Sequence, residues 1–146
     1  MRISAILALI LLATSVLTFA RKEETLEELV IRAASARVQD QPELYTEAAE
    51  RQLAAADKFF RDGKVDEGHN AVTDVVTYSD KAGDAANKSG KKLKHTEISL
   101  RKMALKLRDI KRSVAFEDQA QLQEASDHLE QLRTDLLSHM FGKEEK

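Results

Sequence analysis

Four histidines are the main candidates for chemistry in this chain, because the sequence contains no cysteine. Histidine and carboxylate side chains on facing helices bind di-iron centres when Glu-x-x-His occurs twice. The nearest match, from Asp66 to His69, occurs once and begins with Asp. His128 and His139 are about 16 Å apart along a helix, too far to bind one ion. We therefore expect no metal site, no resident cofactor, and solvated rings for His69, His95, His128 and His139.

Other catalytic and cofactor-binding motifs are also missing from the sequence. Without cysteine there is no thiol nucleophile and no covalent haem attachment. Non-covalent haem binding stays open, with His139 and a methionine as the two iron ligands. No serine stands in a Gly-rich elbow, and no glycine motif of a nucleotide-binding loop occurs. Gly63 and Gly68 are expected at a turn and at a packing position. The sequence therefore predicts a protein that is not an enzyme and has no catalytic residues.

The first 20 residues have the order of a secretory signal peptide. Arg2 precedes an apolar run, and Thr18 and Ala20 are small residues before the charged segment that starts at Arg21. This order predicts export to the periplasm or the medium, with residues 1–20 removed by cleavage after Ala20. An uncleaved membrane anchor is the alternative, because 18 uncharged residues are near the lower limit for spanning a bilayer.

The remaining residues have the composition of one helical domain. The whole chain has one proline, five glycines and no tryptophan. Its many Ala, Leu, Glu, Gln, Lys and Arg residues favour helix, because these side chains lose little freedom on a helix. No alternating run of β-branched residues predicts a strand. We expect an all-α antiparallel bundle of four to five helices over residues 21–142, followed by a charged tail at 143–146.

Helix breakers divide this domain into five predicted segments. The first begins at a capping box, Thr25 to Glu28, and ends near Gln39. The second has Pro42 in its first turn and stops at Gly63, which suits a left-handed helix end. The third begins at Val65 or Asp66, continues to about Lys88 and is ended by Ser89 and Gly90. The last two segments span Lys91–Val114 and Asp118–Met140.

Apolar residues recur at alternating steps of three and four in the last two segments, as in helices that pack side by side. We therefore expect a long C-terminal antiparallel hairpin with a link near residues 115–118, and a cap on its second helix from Asp118 and Gln121. The second and third segments have small packing residues, which permit a close approach of the two helices. These small residues are Ala48, Ala49, Ala55, Ala56, Gly68, Ser79, Ala82 and Ala86.

The segment Ala56–Gly68 resembles the inter-helix turn of a tetratricopeptide repeat. It has a small residue, an aromatic residue three positions later at Phe59, a glycine at Gly63 and a second small residue at Gly68, where the repeat usually has alanine. The resemblance implies a hairpin of closely crossing helices, which in stacked repeats forms a peptide-binding groove. No second copy of about 34 residues follows, so it implies a hairpin rather than an array. The chain otherwise resembles small exported helical proteins of bacteria.

Charge is concentrated in the fourth predicted helix. Residues 88–112 contain ten basic and two acidic residues, a net charge of +8, whereas residues 21–87 and 113–146 carry −6 and −5. Either neighbouring acidic helices neutralise the cations, or the helix presents a binding surface. At about 100° per residue, Ile98 and Leu105 fall opposite the packing side. The candidate interaction face comprises Lys94, Ile98, Arg101, Lys102, Leu105 and Arg112.

A second apolar line bordered by cations suits a protein partner, self-association or an anionic membrane surface. Nucleic-acid binding is not expected, because no aromatic residues interleave with the cations. The predicted function is that of a non-enzymatic exported protein acting through protein–protein or envelope contacts, as a scaffold or a helical chaperone. The alternative is a periplasmic carrier of haem, metal or an apolar ligand in the bundle core. A bound chromophore or stoichiometric metal in the purified protein would favour the carrier.

Overall fold

The computed structural model describes residues 22–142. Within this part the predicted all-α fold is confirmed, since the elements are five α-helices and one 3₁₀ turn, with no strand. The predicted signal peptide at residues 1–20 and the tail at 143–146 lie outside the described residues. The helices are α1 (Leu26–Ser35), α2 (Gln41–Arg61), α3 (Val65–Ser89), α4 (Leu93–Ser113) and α5 (Gln119–Phe141), and the 3₁₀ turn is Phe116–Asp118.

Local sequence explains most of the helix ends. The capping box predicted for α1 is present: the Glu28 amide donates to Thr25 Oγ1 at 3.2 Å, and the Thr25 amide donates to Glu28 Oε2 at 2.9 Å. These bonds satisfy amides that have no partner inside the helix. Gly63 and Gly90 end α2 and α3 with φ of +73° and +65°. Glycine adopts this left-handed backbone without a steric penalty.

Helix α1 is shorter than the sequence predicted. It ends at Ser35 rather than near Gln39, because Ala36 adopts an extended backbone. The Ser35 hydroxyl donates to carbonyl groups of the preceding turn, which are free at a helix end. The next residues form a separate turn in which Arg37 pairs with Asp40 at 2.8 Å. The five residues from 36 to 40 therefore connect α1 to α2 outside any helix.

Helices α2 to α5 form a four-helix bundle made of two antiparallel hairpins, α2–α3 and α4–α5. Bonds that pair Lys111 with Gln123 and Ser126 with Ala104 fix the antiparallel course of the second hairpin, which confirms the predicted C-terminal hairpin. The hairpins lie side by side with α2 against α4 and α3 against α5, so α3 and α4 lie near a diagonal. Helix α1 packs outside the bundle against α2.

Small residues bring α2 and α3 together, as the sequence predicted. Ala48, Ala49 and Ala56 have no exposed surface. Gly68 lies directly against the ring of Phe60: a β-carbon at position 68 would be 2.8 Å from Phe60 Cζ, inside the contact distance of two carbon atoms. This contact is the physical reason for glycine at a position where alanine is usual in the tetratricopeptide turn. The hairpin is confirmed, and the relationship to that family stays a prediction.

The main core is a cluster of aliphatic residues from α2 to α5. The predicted apolar lines of α4 and α5 supply about half of it. The end members Leu93, Val114 and Met140 are half-buried, as is Leu132 within the line of α5. Burial of these lines is the main favourable contribution to folding, since the chain has no cysteine and therefore no disulfide. The fully buried aliphatic residues of α4 and α5 include Leu100, Leu107, Leu122, Leu129 and Leu136.

One charged network is built into the α4–α5 contact. Glu97 is only 8% exposed, and Arg133 Nε donates to its Oε1 at 2.5 Å. This hydrogen bond raises the pKa of Arg133. Arg133 also pairs with Glu130 at 3.3 Å, and Glu130 lies 3.7 Å from Arg108. A buried carboxylate needs a charged or hydrogen-bonding partner. Arg133 therefore offsets the desolvation cost of burying Glu97 inside the hairpin.

Two hydroxyl groups are buried without a hydrogen-bond partner among the described residues. Ser79 and Thr96 both have 0% exposed surface, and both oxygens are unpaired. We expect Ser79→Ala and Thr96→Val each to raise the free energy of unfolding by about 1 kcal/mol, because an unpaired buried polar group costs desolvation without a compensating bond. Urea denaturation of each variant measures the change. A loss of stability in both variants would contradict this description of the packing.

Candidate functional site

The candidate interaction face is the solvent side of α4. The opposite side of the helix is buried in the bundle and includes Leu100, Met103 and Leu107. On the outer side, Leu105 is 52% exposed and Ile98 is half-buried. Four exposed cations stand around these two apolar side chains. All six residues selected from the sequence therefore lie on one side of the helix: Lys94, Ile98, Arg101, Lys102, Leu105 and Arg112.

The other cations of α4 turn toward neighbouring helices and are paired there. Lys92 lies 3.1 Å from Glu43 and Lys106 lies 2.9 Å from Asp57, both on α2. Arg108 makes a longer pair of 3.7 Å with α5. The neutralisation that the charge pattern suggested therefore occurs at these flanks of the helix. The cations therefore divide between these paired flanks and an outer side, whose role as a binding surface stays a prediction.

The cations of the outer side have no such partners. Lys94, Arg101 and Lys102 form no ion pair with any residue between 22 and 142. Arg112 pairs with Asp109 at 3.1 Å, but both side chains are mostly exposed, and such pairs contribute little. The outer side thus combines unpaired positive charge with two apolar side chains. A surface of this kind can bind a partner that is acidic and partly apolar.

A shallow groove runs beside this face, between α2 and α4. It has a volume of about 260 Å³. Its lining consists of three apolar residues and three charged ones: Leu53, Ala54, Met103, Glu50, Lys102 and Lys106. Lys102 belongs to both the groove and the interaction face. A partner that lies along α4 can therefore place a side chain in the groove without moving the bundle.

His69 is the main feature that the sequence did not reveal. It is half-buried, hydrogen-bonds with Gln121 through Nδ1, and has Asp118 Oδ1 3.2 Å from its Nε2. The Phe60 ring packs edge-on against it, with ring centres 5.3 Å apart. The cap predicted for α5 is wrong, because its two residues contact His69 instead. The Asp118 side chain makes no capping bond, and Gln121 also donates to the His69 carbonyl. About fifty residues separate these partners, so no local spacing signals the contact.

The other histidines follow the prediction only in part. His95 and His128 are exposed as expected, and His128 Nε2 lies 2.6 Å from Asp80 Oδ1 on α3. His139 is half-buried, and its Nε2 has no partner among the described residues. A second open groove of about 330 Å³ lies between α3 and α5, with His128 and Gln121 in its lining.

Between residues 22 and 142, no group of three or more His, Asp or Glu side chains is placed to bind a metal ion. None of the helices in that range has the length and apolar character needed to cross a bilayer.

Comparisons of the chain with protein-family models, with curated proteins and with solved structures found no match.

Proposed function

We propose that this protein is a non-enzymatic exported helical protein that binds another protein chain, as a scaffold or chaperone-like module of the cell envelope. The binding surface is the candidate interaction face on α4. Export is inferred from the order of basic, apolar and small residues in positions 1–20. The binding role is inferred from the surface chemistry of α4.

The exposure of apolar side chains among unpaired cations supports this proposal most strongly. Leu105 is 52% exposed and Ile98 is half-buried, both on the side of α4 that faces away from the bundle. Polar residues are the usual occupants of a helix side that faces water, and here two apolar residues lie one above the other among cations. Covering these side chains would stabilise a complex by the hydrophobic effect, and the cations would orient an acidic partner and speed its approach.

Replacing both apolar residues of the face is expected to remove partner binding. In the variant Ile98→Gln/Leu105→Gln we expect about ten-fold less partner in a cross-linking pull-down from envelope extract, because two apolar contacts are lost. The tagged protein is expressed from the complete coding sequence, and the recovered chains are quantified by mass spectrometry. Circular dichroism checks that the variant is folded.

The matched control removes an exposed apolar side chain that is not on the face. Phe116, in the turn before α5, is 87% exposed. The variant Phe116→Gln is expected to recover partners at the level of the unmodified protein. Equal recovery by all three proteins would overturn the proposed role of the α4 face.

A further inference from the structure

Helix α1 carries a second outward-facing line of residues, opposite the side that packs on the bundle. Ile31 is 62% exposed, and Val38, just beyond the helix end, is 43% exposed. Both exposures exceed those of most apolar residues in the described chain. Two further exposed residues complete the line, which we call the α1 stripe: Glu27, Ile31, Ala34 and Val38.

The helical part of the α1 stripe and the face on α4 have the same spacing. Steps of four and three residues separate Glu27, Ile31 and Ala34, and the same steps separate Lys94, Ile98 and Arg101. Alternating steps of four and three are the spacing with which two helices pack along a shared line. When the two helices are placed in parallel, the Glu27 carboxylate meets the Lys94 ammonium group and Ile31 meets Ile98. Val38 follows the end of α1 and extends the exposed apolar surface beyond the helix.

The charges of the two surfaces are complementary. Glu23 and Glu27 form no ion pair with any residue of the described chain. Glu24 is engaged differently, because Arg32 lies 2.8 Å from it and lowers the pKa of its carboxyl by a hydrogen bond. The α1 end of the molecule therefore presents unpaired negative charge next to apolar side chains. The α4 face presents the opposite charge in the same arrangement.

One chain cannot bring these two surfaces together. Both are the solvent sides of helices whose other sides pack into the same bundle. Helix α1 is held on α2, where Ala33 packs in a cluster with Tyr45 and Ala82. Helix α4 is held by α2 and α5. The α1 stripe can therefore meet an α4 face only on another molecule.

We propose that the partner of the α4 face is the α1 stripe of a second copy of this protein, an inference that rests on the function proposed for that face. In the parallel arrangement, Glu27 of one copy lies against Lys94 of the next, and Ile31 lies against Ile98. Because the contact uses two different surfaces, every added copy leaves one of each free until the rotation between copies closes a ring. The assembly therefore grows head to tail as the protein concentration rises.

A mixing experiment tests this arrangement. One variant, Ile31→Gln/Val38→Gln, has a blocked α1 stripe, and the other, Ile98→Gln/Leu105→Gln, has a blocked α4 face. Each variant alone is expected to sediment as a monomer, because each lacks one half of the contact. An equimolar mixture is expected to form a 1:1 dimer and nothing larger, since only one productive contact remains. The unmodified protein and the Phe116→Gln control are expected to form larger species with increasing concentration.

Each alternative result has a definite meaning. A mixture that stays monomeric, or an unmodified protein that is monomeric at millimolar concentration, would overturn the second copy as partner. Association that is lost only in the variant with a blocked α4 face would overturn the role of the α1 stripe and leave the function proposed for α4 intact. Monomeric protein that binds phosphatidylglycerol vesicles through Ile98 and Leu105 would assign the face to a membrane. Association unchanged in both variants, with unchanged pull-down recovery, would overturn both proposals.

A charge exchange gives a second test at exposed positions that do not affect the core. Glu27→Lys or Lys94→Glu alone is expected to weaken association about five-fold at low salt, because each change opposes like charges. The chain that carries both substitutions restores opposite charges at every contact and is expected to associate like the unmodified protein. Additive weakening in the double variant would overturn the pairing of these two residues.

Discussion

Leu107→Ala is expected to lower the free energy of unfolding by about 3 to 5 kcal/mol, because it empties a fully buried position in a close-packed core. Leu107 has 0% exposed surface and packs among residues of all four bundle helices. An alanine there loses the transfer free energy of the leucine and leaves a cavity that rigid neighbours cannot fill. Urea denaturation monitored by circular dichroism gives the difference between the two proteins.

The control for this prediction lies two residues earlier on the same helix. Leu105 is 52% exposed, so Leu105→Ala is expected to change the free energy of unfolding by no more than about 0.5 kcal/mol. The pair of variants thus separates the core side of α4 from its interaction face. Similar losses in both variants would show that position 105 is packed, which would contradict an exposed face.

Ala49→Leu is expected to destabilise the protein by about 3 kcal/mol, because α2 and α3 approach too closely for a larger side chain. Ala49 has 0% exposed surface and belongs to the main core cluster. The added carbon atoms must displace the facing helix or adopt a strained rotamer. Thermal unfolding followed at the helical signal of circular dichroism measures the effect.

Ala54→Leu is the matched control on the same helix. Ala54 is exposed at the edge of the groove beside α4, where a leucine has room. We expect its effect on the free energy of unfolding to stay within about 0.5 kcal/mol. An Ala49→Leu variant as stable as this control would contradict the close approach of α2 and α3.

The fold could be predicted from the sequence because its signals are local. The apolar lines of α4 and α5 repeat at the spacing of packed helices, and the capping residues Thr25 and Glu28 mark the start of α1 within one turn. Gly63 and Gly90 mark the ends of α2 and α3 by their left-handed backbone. Each of these signals involves residues at most a few positions apart, so one amino-acid sequence is enough to detect them.

The errors arose where distant contacts override local preference. Asp118 and Gln121 have the spacing of a helix cap, but both turn to His69 on α3, which is about fifty residues away in the chain. The early end of α1 at Ser35 was also missed, because the residues that follow are compatible with helix and contain no glycine or proline before Pro42.

Only part of the candidate site could be predicted from the sequence. The angular position of Ile98 and Leu105 on α4 follows from helical geometry, and both lie on the outer side of the helix. Which cations are paired depends on neighbouring helices, so the ion pairs of Lys106 with α2 and of Arg108 with α5 could not be predicted from the sequence. The α1 stripe was not predicted, because the exposure of its residues depends on how α1 packs on α2.

Photo-cross-linking in the cells that produce the protein tests directly whether the outer side of α4 contacts another protein. A photoreactive benzoyl-phenylalanine placed in place of Leu105 is expected to give one discrete protein adduct on irradiation. The same group in place of Phe116 is expected to give none, although Phe116 is more exposed. No discrete adduct from position 105, or equal adducts from both positions, would contradict the claim.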